Sequence, residues 1–199
     1  TFVSIESDLN SIKGCLSFKA KPDPSINNVG GLWNSRFRNL KILKFTGTSV
    51  NFEGGGANSE YKLPNQFNTL ENVEAEGVGQ LRQSGDNSFL YPPVLRIAGQ
   101  NAQYSFTNCR FDGGEYLFDN NVARYKINGI NVYIGSLLGN LNDVEDRRYY
   151  PADITFNTCT FQSGEMGFFI QSGETINIQN SWFENFERAI IVKGSNCNG

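Results

Sequence analysis

The chain has 199 residues, with 17 basic against 20 acidic side chains, no histidine, 25 asparagines, 21 glycines and 16 phenylalanines. A net charge of -3 leaves no basic excess to displace counterions from nucleic acid, and the absence of imidazole removes histidine bases and histidine metal ligands. The 39% apolar share is too high for a disordered chain, and no apolar run approaches the roughly 20 residues of a membrane-spanning helix.

Taken in chain order, the elements read as short strands separated by turns. Residues 15–18, 37–45 and 67–73 each read as one turn of a repeating structure and 94–97 as the next, in a first half noisier than the second. Between them, residues 21–31, 53–59 and 83–93 are rich in Gly, Pro and Asn and read as loops leaving it. None has the length of a domain linker, so residues 1–199 form one domain. The start at Thr1, without an initiator Met or a basic, apolar leader, and the end just after the strand-like residues 189–192 read as a piece of a longer polypeptide.

The second half carries an internal repeat. Residues 104–111 (YSFTNCRF) align without gaps on 154–161 (ITFNTCTF), and the match runs on through Gly114/Gly164, Glu115/Glu165 and Phe118/Phe168. A third copy follows, with Ile176, Ile178, Ser181, Phe183, Glu187 and Ile190 in the places of Ile154, Phe156, Cys159, Phe161, Glu165 and Phe168. Residues 127–134 alternate in the same way between the first two copies and read as an intervening coil. Short repeats of this kind cannot bury their apolar side alone, so they stack. The expected fold is all-β, a single-stranded right-handed parallel β-helix. Phe106, Phe156 and Ile178 form one inward ladder in it, and Phe111, Phe161 and Phe183 another. Asparagine suits the corners, because it tolerates left-handed backbone. An antiparallel sandwich also explains the alternation, but gives no reason for the ungapped match.

Residues 154–161 with 176–183, and the turn at 35–42, resemble the coils of pectate-lyase-like right-handed β-helices. The lack of histidine, the Asn, Gly and Phe richness and the long side loops resemble bacteriophage tailspike proteins. The resemblance covers residues 15–195 and lies in coil pattern, not in a catalytic signature. It implies a homotrimer, a place in the virion tail or outside the cell, and binding and degradation of bacterial surface polysaccharide. Neither nucleic acid nor membrane insertion belongs to it.

Three features bear on chemistry. Glu115 and Glu165 sit at equivalent repeat positions, two coils apart by this count, which sets their backbones about 9–10 Å apart. That separation suits the acid and base of an inverting glycoside hydrolase, and Asp112 and Asp119 are lesser carboxylates of the same kind. The insertion at 139–151 gathers Asp143, Glu145, Asp146, Arg147, Arg148, Tyr149 and Tyr150. Tyr rings suit the faces of sugars and Arg forks suit carboxylate or hydroxyl groups, so the insertion reads as a candidate sugar-binding wall or, alternatively, as a solvated or subunit-contacting loop whose charges pair with one another. Trp182, outward because its neighbour Phe183 points inward, is the better sugar platform, and Trp33 the lesser.

No metal or cofactor is expected. The four cysteines lack close metal spacing, residues 143–146 lack a calcium-loop pattern, and Gly54–Gly56 lack the GK[ST] of a phosphate loop. Cys109 and Cys159, two coils apart on the same count, read as buried free thiols with Ser181 in the matching place. Three functions fit: a polysaccharide-depolymerising tailspike-like domain (a hydrolase rather than a lyase), a non-catalytic receptor-binding or structural segment, or a free-standing bacterial polysaccharide lyase or hydrolase.

Overall fold

The computed structural model describes residues 15–20, 31–45, 48–55, 64–77, 93–113, 118–119, 122–123, 130–135 and 150–193. Every named element in it is a strand, and every pairing between named strands is parallel except one short hairpin. The protein is all-β, its parallel sheets curled around a shared core.

The strands group on three faces. The first carries β2 (Arg36–Arg38), β5 (Asn65–Glu71), β8 (Asn101–Thr107), β13 (Ala152–Asn157) and β15 (Glu174–Gln179). The second carries β3 (Lys41–Phe45), β6 (Glu74–Gly77), β9 (Arg110–Asp112) and the leading parts of β14 (Thr160–Ile170) and β16 (Trp182–Val192). The third carries β1 (Leu16–Lys19), β4 (Val50–Glu53), β7 (Leu95–Ala98), β12 (Ile130–Gly135) and the trailing parts of β14 and β16. The hairpin, β10 (Phe118–Asp119) with β11 (Val122–Ala123), lies in the interval between β9 and β12. The chain visits the faces in turn, and each return to a face lands beside the strand laid down before it.

Side-chain alternation explains the core. Leu70, Phe106, Phe156 and Ile178 fall on one register line, and Ala75, Phe111, Phe161 and Phe183 on another. Phe106 and Phe156 stack at 4.6 Å with rings 13° apart, and Phe111 and Phe161 at 5.8 Å and 12°. Both expected aromatic ladders are present, and all four of these rings are fully buried.

Asparagine holds the corners, as its tolerance of left-handed backbone implies. Between the first and second faces, Asn39, Asn72, Asn108, Thr158 and Asn180 take φ of 54, 55, 52, 55 and 49°. Asn72 donates to Asn39 at 3.1 Å and Asn108 to Asn72 at 2.6 Å. At the opposite corner, buried Asn65 donates to Asn101 at 3.1 Å while Asn101 donates to the Ala98 carbonyl at 2.7 Å.

The coil count differs from expectation. Register places Arg36, Thr69, Ser105, Thr155 and Asn177 in one row, so successive circuits take 33, 36, 50 and 22 residues. The two 50-residue copies are therefore direct neighbours, one circuit apart. Residues 130–135 are the third face of the first copy's own circuit and not a coil of their own; 94–97 likewise complete the circuit begun by 67–73. Alternation says which side chains point inward, but every face of the stack alternates alike. It cannot tell a new coil from the next face of the same one.

The thiols follow this correction. Cys109 and Cys159 are buried and unbridged, as expected, yet they sit on adjacent circuits, where the Thr160 amide donates to the Cys109 carbonyl at 2.8 Å. Their thiols face the Leu70 and Phe106 carbonyls, each at 3.5 Å. The hydrogen bond with Cys159, together with burial, pushes the Cys109 thiol up, so it behaves as a small apolar group.

Candidate functional site

The outward side of the second face carries a connected set of charged side chains. Its first row runs Lys41, Glu74, Arg110, Thr160, Trp182, and its second runs Glu76, Asp112, Gln162, Glu184. Each step is one strand spacing, about 4.8 Å. The side chains link into a belt: Lys41 Nζ to Glu74 at 2.7 Å, Arg110 Nη1 to Glu74 at 3.2 Å and Arg110 Nη2 to Asp112 at 2.9 Å. Arg110 Nε donates to Gln162 at 2.8 Å, and Gln162 donates in turn to Glu184 at 2.8 Å. Two cations against four carboxylates leave these rows acidic. They repel polyanions and accept hydroxyl groups.

Trp182 opens β16 and is 65% exposed, outward as its position beside Phe183 implied. Glu165 lies half-buried in β14, past the bend made by Ser163 at φ 55°. The pairing of Gly164 with Phe186 and Met166 with Arg188 sets Glu165 level with Glu187 on the adjacent strand. Those two carboxylates start from backbones about 4.8 Å apart. Glu187 was visible in the sequence as the third copy's counterpart of Glu165, one coil on, and the register agrees. Asp112, Gln162 and Glu184 each follow an aligned Phe of the three copies, so the repeat already lines them up, and only Glu76 joins them by register alone.

Other expected residues fall elsewhere. Glu115, Arg147, Arg148 and Tyr149 lie outside the described residues, and so does most of the 139–151 insertion. The 9–10 Å separation expected for Glu115 and Glu165 rested on two coils between the copies, and it goes with that count. Asp112 is the bonded partner of Arg110, and of Asp119 only the backbone of the hairpin is described. Tyr150 is only 6% exposed, so its ring is not open to a sugar. Trp33 is exposed on the first face, away from the charged belt.

On the third face the outward side is closed. Arg96, 5% exposed, donates to Asn51 and bonds to Glu53, each at 3.0 Å, and Tyr133 donates to Gln171. Among the described residues, no group of three or more metal-ligating side chains comes together. Compared with known protein families, with characterised proteins and with solved structures, the chain matches none.

Proposed function

We propose that the chain is part of a single-stranded right-handed parallel β-helix of tailspike type, which binds bacterial surface polysaccharide along its second face and hydrolyses it. Parallel strands laid side by side on successive visits support this winding, and crossover connections in such sheets are right-handed. The observation that carries the function is the pairing of β14 with β16. It levels Glu165 with Glu187 in the strand that also bears exposed Trp182.

Side chains that start from backbones about 4.8 Å apart can bring their carboxyl groups to the roughly 5–5.5 Å of retaining hydrolysis, in which one is nucleophile and the other acid and then base. This departs from the inverting geometry expected from the sequence. Trp182 supplies the flat apolar ring for a sugar face, and Glu115, Arg147, Arg148 and Tyr149 belong to the same proposal as further glycan-contacting groups. The acidic rows favour an uncharged glycan over a uronate polymer, hence hydrolysis over elimination. The working form is a homotrimer in a virion tail or otherwise outside the cell.

Incubation with a panel of capsular and O-antigen polysaccharides tests this. New reducing ends with retained anomeric configuration are expected, and Glu165→Gln and Glu187→Gln each lower turnover by roughly two to four orders of magnitude. Wild-type rates in both variants would exclude the pair. Unsaturated uronate products would move the chemistry to a lyase. A second reading draws on the belt itself, in which Lys41, Glu74, Arg110, Asp112, Gln162 and Glu184 satisfy one another. That pattern suits a non-catalytic receptor-binding segment, and polysaccharide bound without any product would select it.

A further inference from the structure

We infer a second glycan-binding site on the first face, in which Trp33 and Phe67 form an aromatic platform and Gln103, Asp153 and Thr175 continue it as a polar rail. The site is separate from the Glu165–Glu187 side and does not depend on it.

The platform is two large rings in solvent. Trp33 is 50% exposed and Phe67 44%, with ring centroids 6.0 Å apart and planes inclined at 51°. The same chain packs Phe52, Phe106, Phe111, Phe156, Phe161 and Phe168 out of water entirely. A touching, exposed aromatic pair is therefore a local exception, and such pairs present flat apolar area to a ligand at little conformational cost.

The backbone that carries the indole is held in place from several sides. Trp33 bridges to Gln66, its carbonyl accepts from Ser35 Oγ at 3.2 Å, and the flanking amides of Leu32 and Ser35 donate to the Asn65 and Asn68 side chains at 2.8 and 3.1 Å. Gly31, at φ +142°, leaves the room: a Cβ there would meet the Pro64 carbonyl oxygen at 2.3 Å and Trp33 Nε1 at 3.1 Å. Any larger residue would displace the backbone or the ring.

Position 67 adds an independent observation. Its row is left-handed in all five circuits, with φ of 51° at Asn34, 58° at Phe67, 59° at Gln103, 54° at Asp153 and 52° at Thr175. The stack therefore imposes the backbone shape, and four of the five circuits answer it with a polar side chain. A bulky ring is a poor fit to left-handed backbone and has no polar group to offset it. Strain of this kind concentrates where a side chain is needed for binding.

The chemistry of the rail selects the ligand. Beyond the platform it offers an amide, a carboxylate and a hydroxyl, all exposed, one per strand spacing of about 4.8 Å. The next row on the same face carries one exposed cation, Arg36, at the platform end and is uncharged from there on, through Thr69, Ser105, Thr155 and Asn177. Neither row places a cation beside Asp153, so a phosphorylated or sulfated polymer is disfavoured. An uncharged glycan lying along the stack, one ring on the platform and its hydroxyls on the rail, satisfies both parts.

The chain has only two tryptophans, Trp33 and Trp182, which makes the test direct. In Trp182→Phe, Trp33 is the sole indole, and titration with soluble cello-, manno- and chito-oligosaccharides is expected to give a saturable change in its emission. Adding Phe67→Asn should weaken that response at least tenfold while raising the melting temperature by about 2–4 °C, the result of relieving strain. The reciprocal protein, Trp33→Phe, reports only Trp182 and so judges the second-face proposal by itself. A silent Trp33 with all three oligosaccharide series overturns the rail whatever Trp182 does. An unchanged affinity in the Phe67→Asn protein overturns it too, and so does a Trp33 response confined to a proline-rich peptide.

Discussion

Tyr104 is 1% exposed, its hydroxyl donates to Asn101 at 3.1 Å, and its ring packs edge-on to Phe52 at 4.9 Å. Burial pushes its phenol well above the ordinary value near 10. Above about pH 10 the unfolded chain loses this proton while the folded protein keeps it, so stability is complete below that pH and declines as pH rises. The steepest contribution from one such group is about 1.4 kcal/mol per pH unit. Urea midpoints taken across the alkaline range should fall more slowly in Tyr104→Phe than in wild type. Parallel decline in the two proteins would show that the phenol does not titrate on unfolding. At neutral pH the Phe variant should be less stable by about 1 kcal/mol, because the Asn101 oxygen loses one of its two donors and keeps only Asn65.

Strand corners are governed by ladders, and one ladder has a gap. Asn39, Asn72 and Asn108 are linked side chain to side chain, whereas Thr158 in the next circuit is β-branched at φ 55° and carries no amide. Asn180 reaches past it to Asn157 at 3.2 Å, and Thr158 Oγ1 donates to the same oxygen at 3.3 Å. Replacing Thr158 with Asn removes β-branching from a left-handed position and restores the run of amides, which should add about 1 kcal/mol. Thr158→Ala, which relieves branching without an amide, should recover less. Equal urea midpoints for Thr158→Asn and wild type would show that the corner is indifferent to the ladder.

As a whole molecule the stack has an end that its own described strands leave open. In the last circuit Ile176, Ile178, Phe183 and Phe186 are only half-buried, and Ile190 and Val192 are 46% and 58% exposed. Unpaired strand edges with apolar neighbours invite association. The proposed side-by-side homotrimer predicts a light-scattering mass three times 22.2 kDa that survives Ile190→Lys, since that side chain lies at the end of the stack. A protein that turns monomeric on this change associates end to end. A single-chain mass in the wild type removes the trimer altogether.

What the sequence determined by itself is the local grammar. Apolar and polar residues in strict alternation at 104–106 and 154–156 made strands with Phe106 and Phe156 inward, and the aligned copies made those rings a ladder. Asparagine at 39, 72, 108 and 180 marked the corners, because left-handed backbone is a property of the residue and its immediate neighbours. Tertiary structure alone decided which strand lies beside which. Backbone hydrogen bonds between circuits join residues separated by 22 to 50 positions, and the intervals hold loops whose lengths carry no periodic signal. For that reason the first two copies proved to be direct neighbours, and the pairing of Trp33 with Phe67 in solvent had no trace in the sequence. Alternation sets the direction of a side chain; register across the stack chooses its companions.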